Sequence, residues 1–593
     1  MKYPILSELP NSREMIDVFG GYNHNLRIGD GEFYEMKNLT SNDYPVLSPR
    51  PQRGVYDVVT PQNPCAMIAK DSLCFVDIVV EENEYGARFY KNGDVIEGLK
   101  LSSLSKDLPK TLVSMGAYVI IMPDKKWVNT NDDTYGNIEA KVTTSTGVTF
   151  THCKLDGTDY SEENVKISDE APKDPEDLDY WIDVSNSPHT LKQYSATSAM
   201  WVAVATTYIK ISARGIGEHF DTGDGVTISG IEIDKLSDLN STMVIQGRDD
   251  DYIIVIGLID KVEKQETPIT VKRQMPNMDF IIESENRLWG CRYGLSVDNE
   301  FVNEIYASKL GDFKNWNSFP GVSTDSYAAT VGTDGPFTGA VTYLGSPLFF
   351  KETCMHKVYG NFPANYQIVT TACRGVQKGC SRSLAVVNET LYYKSRSAVC
   401  AYDGSLPYEV SSALGDPTYS HAVAGSLGNK YYISMLDTGG LYNLFVYDTK
   451  KGMWHREDNT QAIQFCNCQG DLYYIDYDYN QIKTVSGTGL TETEAVKWEA
   501  ETGVIGTDSP DKKYISRLDV RLALTYGARV IFFIQYDSIP GWEQIFTMVG
   551  TTLKSFSVPI RPKRCDHLRL KIMGEGDAKI YSICKTIEQG SDL

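Results

Sequence analysis

Apolar and polar positions along this chain follow one local pattern that recurs, for the most part, about every 41–45 residues. A β-branched or aromatic run breaks at a short polar turn, and a second apolar run follows. The turns are Lys70-Asp71-Ser72, Met115-Gly116-Ala117, Glu285-Asn286-Arg287, Leu344-Gly345-Ser346, Val387-Asn388-Glu389, Leu427-Gly428-Asn429 and Gln469-Gly470-Asp471. A period of roughly 40–50 residues with several strands per unit is the signature of a β-propeller. Seven turns predict six or seven blades, and a spacing of about 170 residues between the second and third turns predicts an insertion there.

The pattern divides the chain into five parts. Residues 1–55 are a proline-punctuated lead-in that supplies a propeller-closing strand. Blades follow over 56–136, an inserted β-barrel or sandwich over 137–275, and further blades over 276–486. Residues 487–593 lose the rhythm and carry longer strands, which predicts a C-terminal β-sandwich of jelly-roll type. The alternation in Ser516–Leu522 turns Leu518, Val520 and Leu522 inward. The fold class expected is therefore all-β. Closure of the ring calls for an N-terminal strand paired with the last blade, which leaves no open edge.

Composition changes this picture little. The chain has 593 residues, a net charge of −21 and 37 tyrosines. Tyrosine belongs to the strand formers. The charge argues against static binding of nucleic acid, which needs clustered Lys and Arg. It is compatible with a surface past which DNA slides without sticking. There is no apolar leader and no long apolar run, so neither Sec export nor membrane insertion is expected. The 12 cysteines lie in apolar surroundings, as in a protein folded in a reducing cytoplasm.

No catalytic motif is present, and no cofactor or metal is expected. Cys354, His356, Cys373 and Cys380 have no zinc spacing, and Cys466 and Cys468 lack a second pair. Asp249, Asp250 and Asp251 read as a solvated polar face. Asp476 and Asp478 would share one face of a strand, without the geometry of a calcium loop. Paired carboxylates of a glycosidase meet only in a fold, so the sequence leaves them open. An interaction surface could draw on Trp181, Tyr252, Tyr477 and Tyr479.

Several segments resemble β-propeller tail proteins of short-tailed phages, the nozzle, hub or stabilization family. They are Asn38-Leu-Thr with Pro45–Pro51, Arg287–Trp316, Leu344–Gly360, Gly379–Gly404, Lys513–Leu518 and Asp537–Trp542. Gln52-Arg53-Gly54 departs from that family's Arg-Pro-Gly passage, and the insertion is a further departure. The resemblance implies a virion structural protein at the tail, assembled in the host bacterial cytoplasm, and not an enzyme. It implies a homohexameric ring that continues the DNA channel and contacts portal, adaptor or other tail proteins and fibres. The alternatives are a glycan- or receptor-binding propeller at the tail tip and, third, a hydrolase or depolymerase.

Overall fold

The computed structural model describes residues 11–81, 84–102, 110–145, 147–160, 165–296, 299–507 and 512–589. It is nearly all strand, with four short 3-10 turns among the described residues. Seven blades are arranged around one axis. Six are four-stranded meanders, and the seventh is completed from the N-terminal segment. Blades one and two span Pro64–Val95 and Thr111–Asn137, blades three to five Phe280–Thr330, Gly339–Ala372 and Ala385–Glu409, and blades six and seven Tyr419–Arg456 and Ala462–Thr484. The inner strands neighbour one another in that order, except that blades four and five meet through the 3-10 turn Ser381–Ser383, and blade seven returns to blade one. The all-β propeller expected from the turn spacing is the fold observed.

Each of the seven turns read from the sequence is the first hairpin of one blade. Tight hairpins need left-handed backbone to match the twist of the strands they join. Asp71, Gly116, Asn286, Gly345, Asn388, Gly428 and Gly470 supply it, with φ between 47° and 83°. The hairpins touch around the ring: Asn388 Nδ2 donates to Asn429 Oδ1 at 3.0 Å, and Gln469 Nε2 to the Asp71 carbonyl at 3.3 Å.

The ring closes where Gly54 and Val55 pair with Thr484 and Lys483 at the outer edge of blade seven. Gly54 is required there for space. A Cβ on it would lie 1.8 Å from the Thr488 carbonyl oxygen and 2.4 Å from Thr484 Oγ1. Gly54→Ala should therefore cost about 1–3 kcal/mol by overpacking. Urea unfolding at neutral pH measures it, and an unchanged midpoint would refute the steric argument.

Residues 140–273 leave the ring through a two-strand stem, Ala140–Thr143 against Thr270–Arg273. They form a four-stranded sheet packed on a five-stranded one. Their core, with Phe150, Ile211, Val226, Ile253 and Val271, is separate from the blade cores. It is a sandwich and not a closed barrel. A further small sheet, Val165–Ser168 to Met200–Ala203, extends from it. The sandwich is tied to blade three through Asp224, which pairs with Arg273 and accepts from Asn315 Nδ2 at 2.8 Å.

The C-terminal strands build one folded-over sheet. Lys513–Tyr536 runs as a single strand, and Leu518, Val520 and Leu522 on its inner face are buried as expected. Val530, Phe532 and Ile534 from its second half join the same core. This sheet is continuous with blade six: Met453–Arg456 pairs with Gly21–Tyr22, then Glu32–Lys37, Lys497–Thr502 and Leu568–Glu575 follow side by side.

Candidate functional site

The continuity between blade six and the C-terminal sheet assembles a cluster of ionisable groups on the sheet's outer face. Phe33 and Met36 point into the core, and a register shift between Phe33 and Glu35 keeps Tyr34 and Glu35 outside. Glu35 is directly opposite Glu501 on the neighbouring strand. Directly opposed residues share a face, with Cβ atoms about 4.5–5.5 Å apart. Two carboxylates are thus side by side, although the chain separates them by most of its length.

Cations hold both. Arg569 Nη2 is 2.7 Å from Glu501 Oε1. Arg456 Nη1 is 3.4 Å from Glu35 Oε2, and His24 Nδ1 is 3.2 Å from Glu35 Oε1. His24 Nδ1 is also 3.0 Å from the Tyr34 carbonyl oxygen. Both neighbours are acceptors, so this nitrogen carries the proton. The hydrogen bond to Glu35 raises the His24 pKa against the opposing effect of partial burial. The Tyr34 ring stacks on His24 at 4.2 Å and lies under the Arg569 guanidinium at 4.9 Å.

The two carboxylates occupy different settings. The Glu501 side chain is 11% exposed and that of Glu35 is 35% exposed. Burial raises the Glu501 carboxyl above its ordinary range. Arg569 and Lys571 oppose that shift, while Glu35 and Glu499 add to it. A carboxyl raised by burial beside a more exposed one is the arrangement that separates acid and base roles. Further along the same face a pocket of about 270 Å³ is lined by Lys37, Lys497, Glu499, Arg529, Met573 and Glu575, among others.

The residues singled out from sequence are not brought together as one site. Trp181 and Tyr252 belong to the inserted region; Trp181 is buried, its indole donating to the Ser168 carbonyl at 3.0 Å. Tyr252 is half-buried beneath Lys210. Tyr477 and Tyr479 are on a turn of blade seven, and only Tyr479, 67% exposed, is well open to solvent. Asp476 and Asp478 do not share a strand face. The strand ends at Asp476, which is buried, pairs with Lys483 at 2.9 Å and accepts from the Asp478 amide. Asp249, Asp250 and Asp251 are exposed as expected. Among the described residues there is no cluster of three or more metal-ligating side chains, and no helix is long and apolar enough to cross a membrane.

No family model matches the chain, and no curated protein matches it. Solved structures do. An acylaminoacyl peptidase from Pyrococcus horikoshii is 9% identical over 74% of this chain and 50% of its own, with a TM-score of 0.25. The chain thus spans half the length of that peptidase. An exo-β-1,3-galactanase from Phanerochaete chrysosporium, solved with galactose, is 9% identical over 51% of this chain and 94% of its own, with a TM-score of 0.22. A glycoside hydrolase family 43 arabinoxylan arabinofuranohydrolase from Bacillus subtilis, solved with cellotetraose, is 7% identical over 54% of this chain and 96% of its own, with a TM-score of 0.20. The expectation of a non-enzymatic virion protein at a phage tail is corrected by this finding, because the structures matched are hydrolases. At these identities and TM-scores the matches assign no chemistry, which rests on the side chains of this chain.

Proposed function

We propose that the protein is a glycan-active hydrolase whose catalytic carboxyl pair is Glu501, the acid–base, and Glu35, the nucleophile. The observation that carries this reading is their direct cross-strand opposition, one carboxyl being raised by burial and the other more open to solvent. Glycoside hydrolysis needs two carboxyl groups flanking the scissile bond, at about 5–5.5 Å for reaction with retention. Glu501 protonates the leaving oxygen and later draws the proton from water. Glu35, oriented by His24 and Arg456, attacks the anomeric carbon as the glycosidic bond breaks, and the water activated by Glu501 then displaces Glu35 from that carbon.

The test is release of reducing sugar from a broad panel of polysaccharides and aryl glycosides. Glu501→Gln and Glu35→Gln should each lower turnover by about 100-fold or more, the range for general acid–base groups. Glu575→Gln, on the same face but paired with Arg529, should retain activity. The newly released sugar should keep its anomeric configuration when followed by NMR. Absence of turnover across the panel, or full activity in both variants, would reject the assignment.

A further inference from the structure

The propeller axis holds a second, unrelated feature. Where the chain enters the blades, a cavity of about 360 Å³ is lined by residues near the start of several inner strands, including Thr111, Phe280 and Ala340, and by Arg382 and Gln464. This size falls in the usual range for small-molecule sites, about 300–1,000 Å³. Arg382 belongs to the 3-10 turn Ser381–Ser383, which precedes blade five. It reaches across the axis: Nη1 donates to the Ile463 carbonyl of blade seven at 2.8 Å, and Nη2 to the Lys110 carbonyl beside blade two at 3.1 Å.

These partners are neutral. Among the described residues no carboxylate is paired with Arg382. The cavity's one acid, Asp279, is engaged by Arg292 Nη1 at 2.6 Å and by the Tyr293 amide at 2.9 Å. Gln464 is likewise committed, bonding the Met67 amide and carbonyl at 3.1 and 2.8 Å. Arg382 is half-buried, and desolvation without a counter-charge pushes its guanidinium down to about 10. Some buried cations in this chain have an acid partner, such as Lys110 with Asp124 and Arg53 with Glu457, whereas Arg287, Lys351 and Lys394 are held by carbonyl oxygens. A guanidinium has five donors in a planar fork, and two carbonyl bonds leave the others available.

We propose that this axial cavity binds a small oxyanion, a carboxylate or phosphate group, on Arg382. The anion supplies the missing counter-charge through charge-assisted hydrogen bonds, which are about twice as strong as neutral ones. The overall negative charge of the chain excludes large polyanions from the neighbourhood but leaves a local attraction for a compact one.

Isothermal titration of the full chain at low ionic strength tests this with sodium glucuronate, inorganic phosphate and glucose as a neutral control. Saturable binding of at least one anion, and none of glucose, is the expected result. Arg382→Gln, with an unaltered circular dichroism spectrum, should weaken that binding at least tenfold. If that variant does not fold, Ala340→Leu fills the cavity from its wall, keeps the guanidinium, and should give the same loss. Failure of both anions to bind, or equal binding by the wild type and a folded variant, would overturn the proposal. Because Glu35 and Glu501 are on another sheet face, the outcome is independent of any test of hydrolysis.

Discussion

Between pH 7 and pH 5 the protein should lose about 6 kcal/mol of folding stability through three buried histidines. His152, His356 and His455 are at most 9% exposed. Burial lowers His152 and His356 to about 4 and His455 to about 3. Lys351 adds to the effect at His356, as do Lys430 and Lys451 at His455, where Asp448 opposes them. His356 meets neutral groups, the hydroxyls of Thr333 at 3.0 Å and Thr370 at 2.9 Å and the Cys354 thiol at 3.7 Å, and His152 Nε2 has no hydrogen-bond partner. An unfolded histidine titrates near pH 6.5. Below that value the unfolded chain binds protons that the folded chain refuses, so stability is complete above about pH 6.5 and falls on acidification towards the folded pKa values. At pH 5 each ring accounts for about 2 kcal/mol. His24 has the opposite sign: its raised pKa contributes stability that is fully present below pH 6.5 and lost above the folded pKa. It is partly exposed, so its contribution is small.

The loss should divide between two bodies, because His152 is in the inserted sandwich while His356 and His455 are in blades four and six. Urea unfolding at the two pH values, followed by fluorescence, measures it. Replacing His356 by Gln should reduce the pH dependence of the propeller transition by about 2 kcal/mol. Equal midpoints at pH 7 and pH 5 would show that the rings accept protons in place.

The propeller was legible in the sequence because a tight hairpin leaves a local mark. Left-handed backbone selects Gly, Asn and Asp, and these residues flagged all seven first hairpins. The alternation of Leu518, Val520 and Leu522 was legible for the same reason, since a half-buried strand writes its own period. The candidate carboxyl pair left no such mark. Glu35 and Glu501 meet only through the register of strands from opposite ends of the chain. A signal was available in Glu499-Ala500-Glu501, where two acids flank a buried alanine on alternate strand positions. Nothing local, however, points from there to Glu35. The continuity of blade six with the C-terminal sheet was hidden too, because it depends on the two-residue strand Gly21–Tyr22. The aromatic reading failed at Trp181 for a different reason: sequence names the ring but not the neighbours that bury it.

The lead-in segment offers the sharpest test of how the ring is held shut. Arg53 immediately precedes the closing strand and is 3% exposed. Its Nη2 is 2.8 Å from Glu457 Oε2, and its Nη1 is 2.9 Å from Asp458 Oδ2. Nη1 also donates to Thr460 Oγ1 at 2.7 Å and to the Tyr474 hydroxyl at 3.1 Å. Burial alone would lower the Arg53 pKa, but Asp458, Tyr474 and Glu457 reverse this and hold it well above its ordinary value. Arg50 extends the network to Glu492, with Nη1 at 3.1 Å from Oε2. Residues from the lead-in are thereby locked to blades six and seven. A buried pair is weak support for stability as a whole, since forming it costs desolvation of both ions. Removing one member is different, because the other remains buried without a partner. Arg53→Ala strands Glu457, which is 3% exposed, and should cost about 3–5 kcal/mol. Arg53→Ala combined with Glu457→Gln removes the orphaned charge and should recover part of that loss. Urea unfolding of both variants beside the wild type reads the difference. A single variant within 1 kcal/mol of the wild type would mean that the closing strand is held by its backbone pairing with blade seven and not by the ion network.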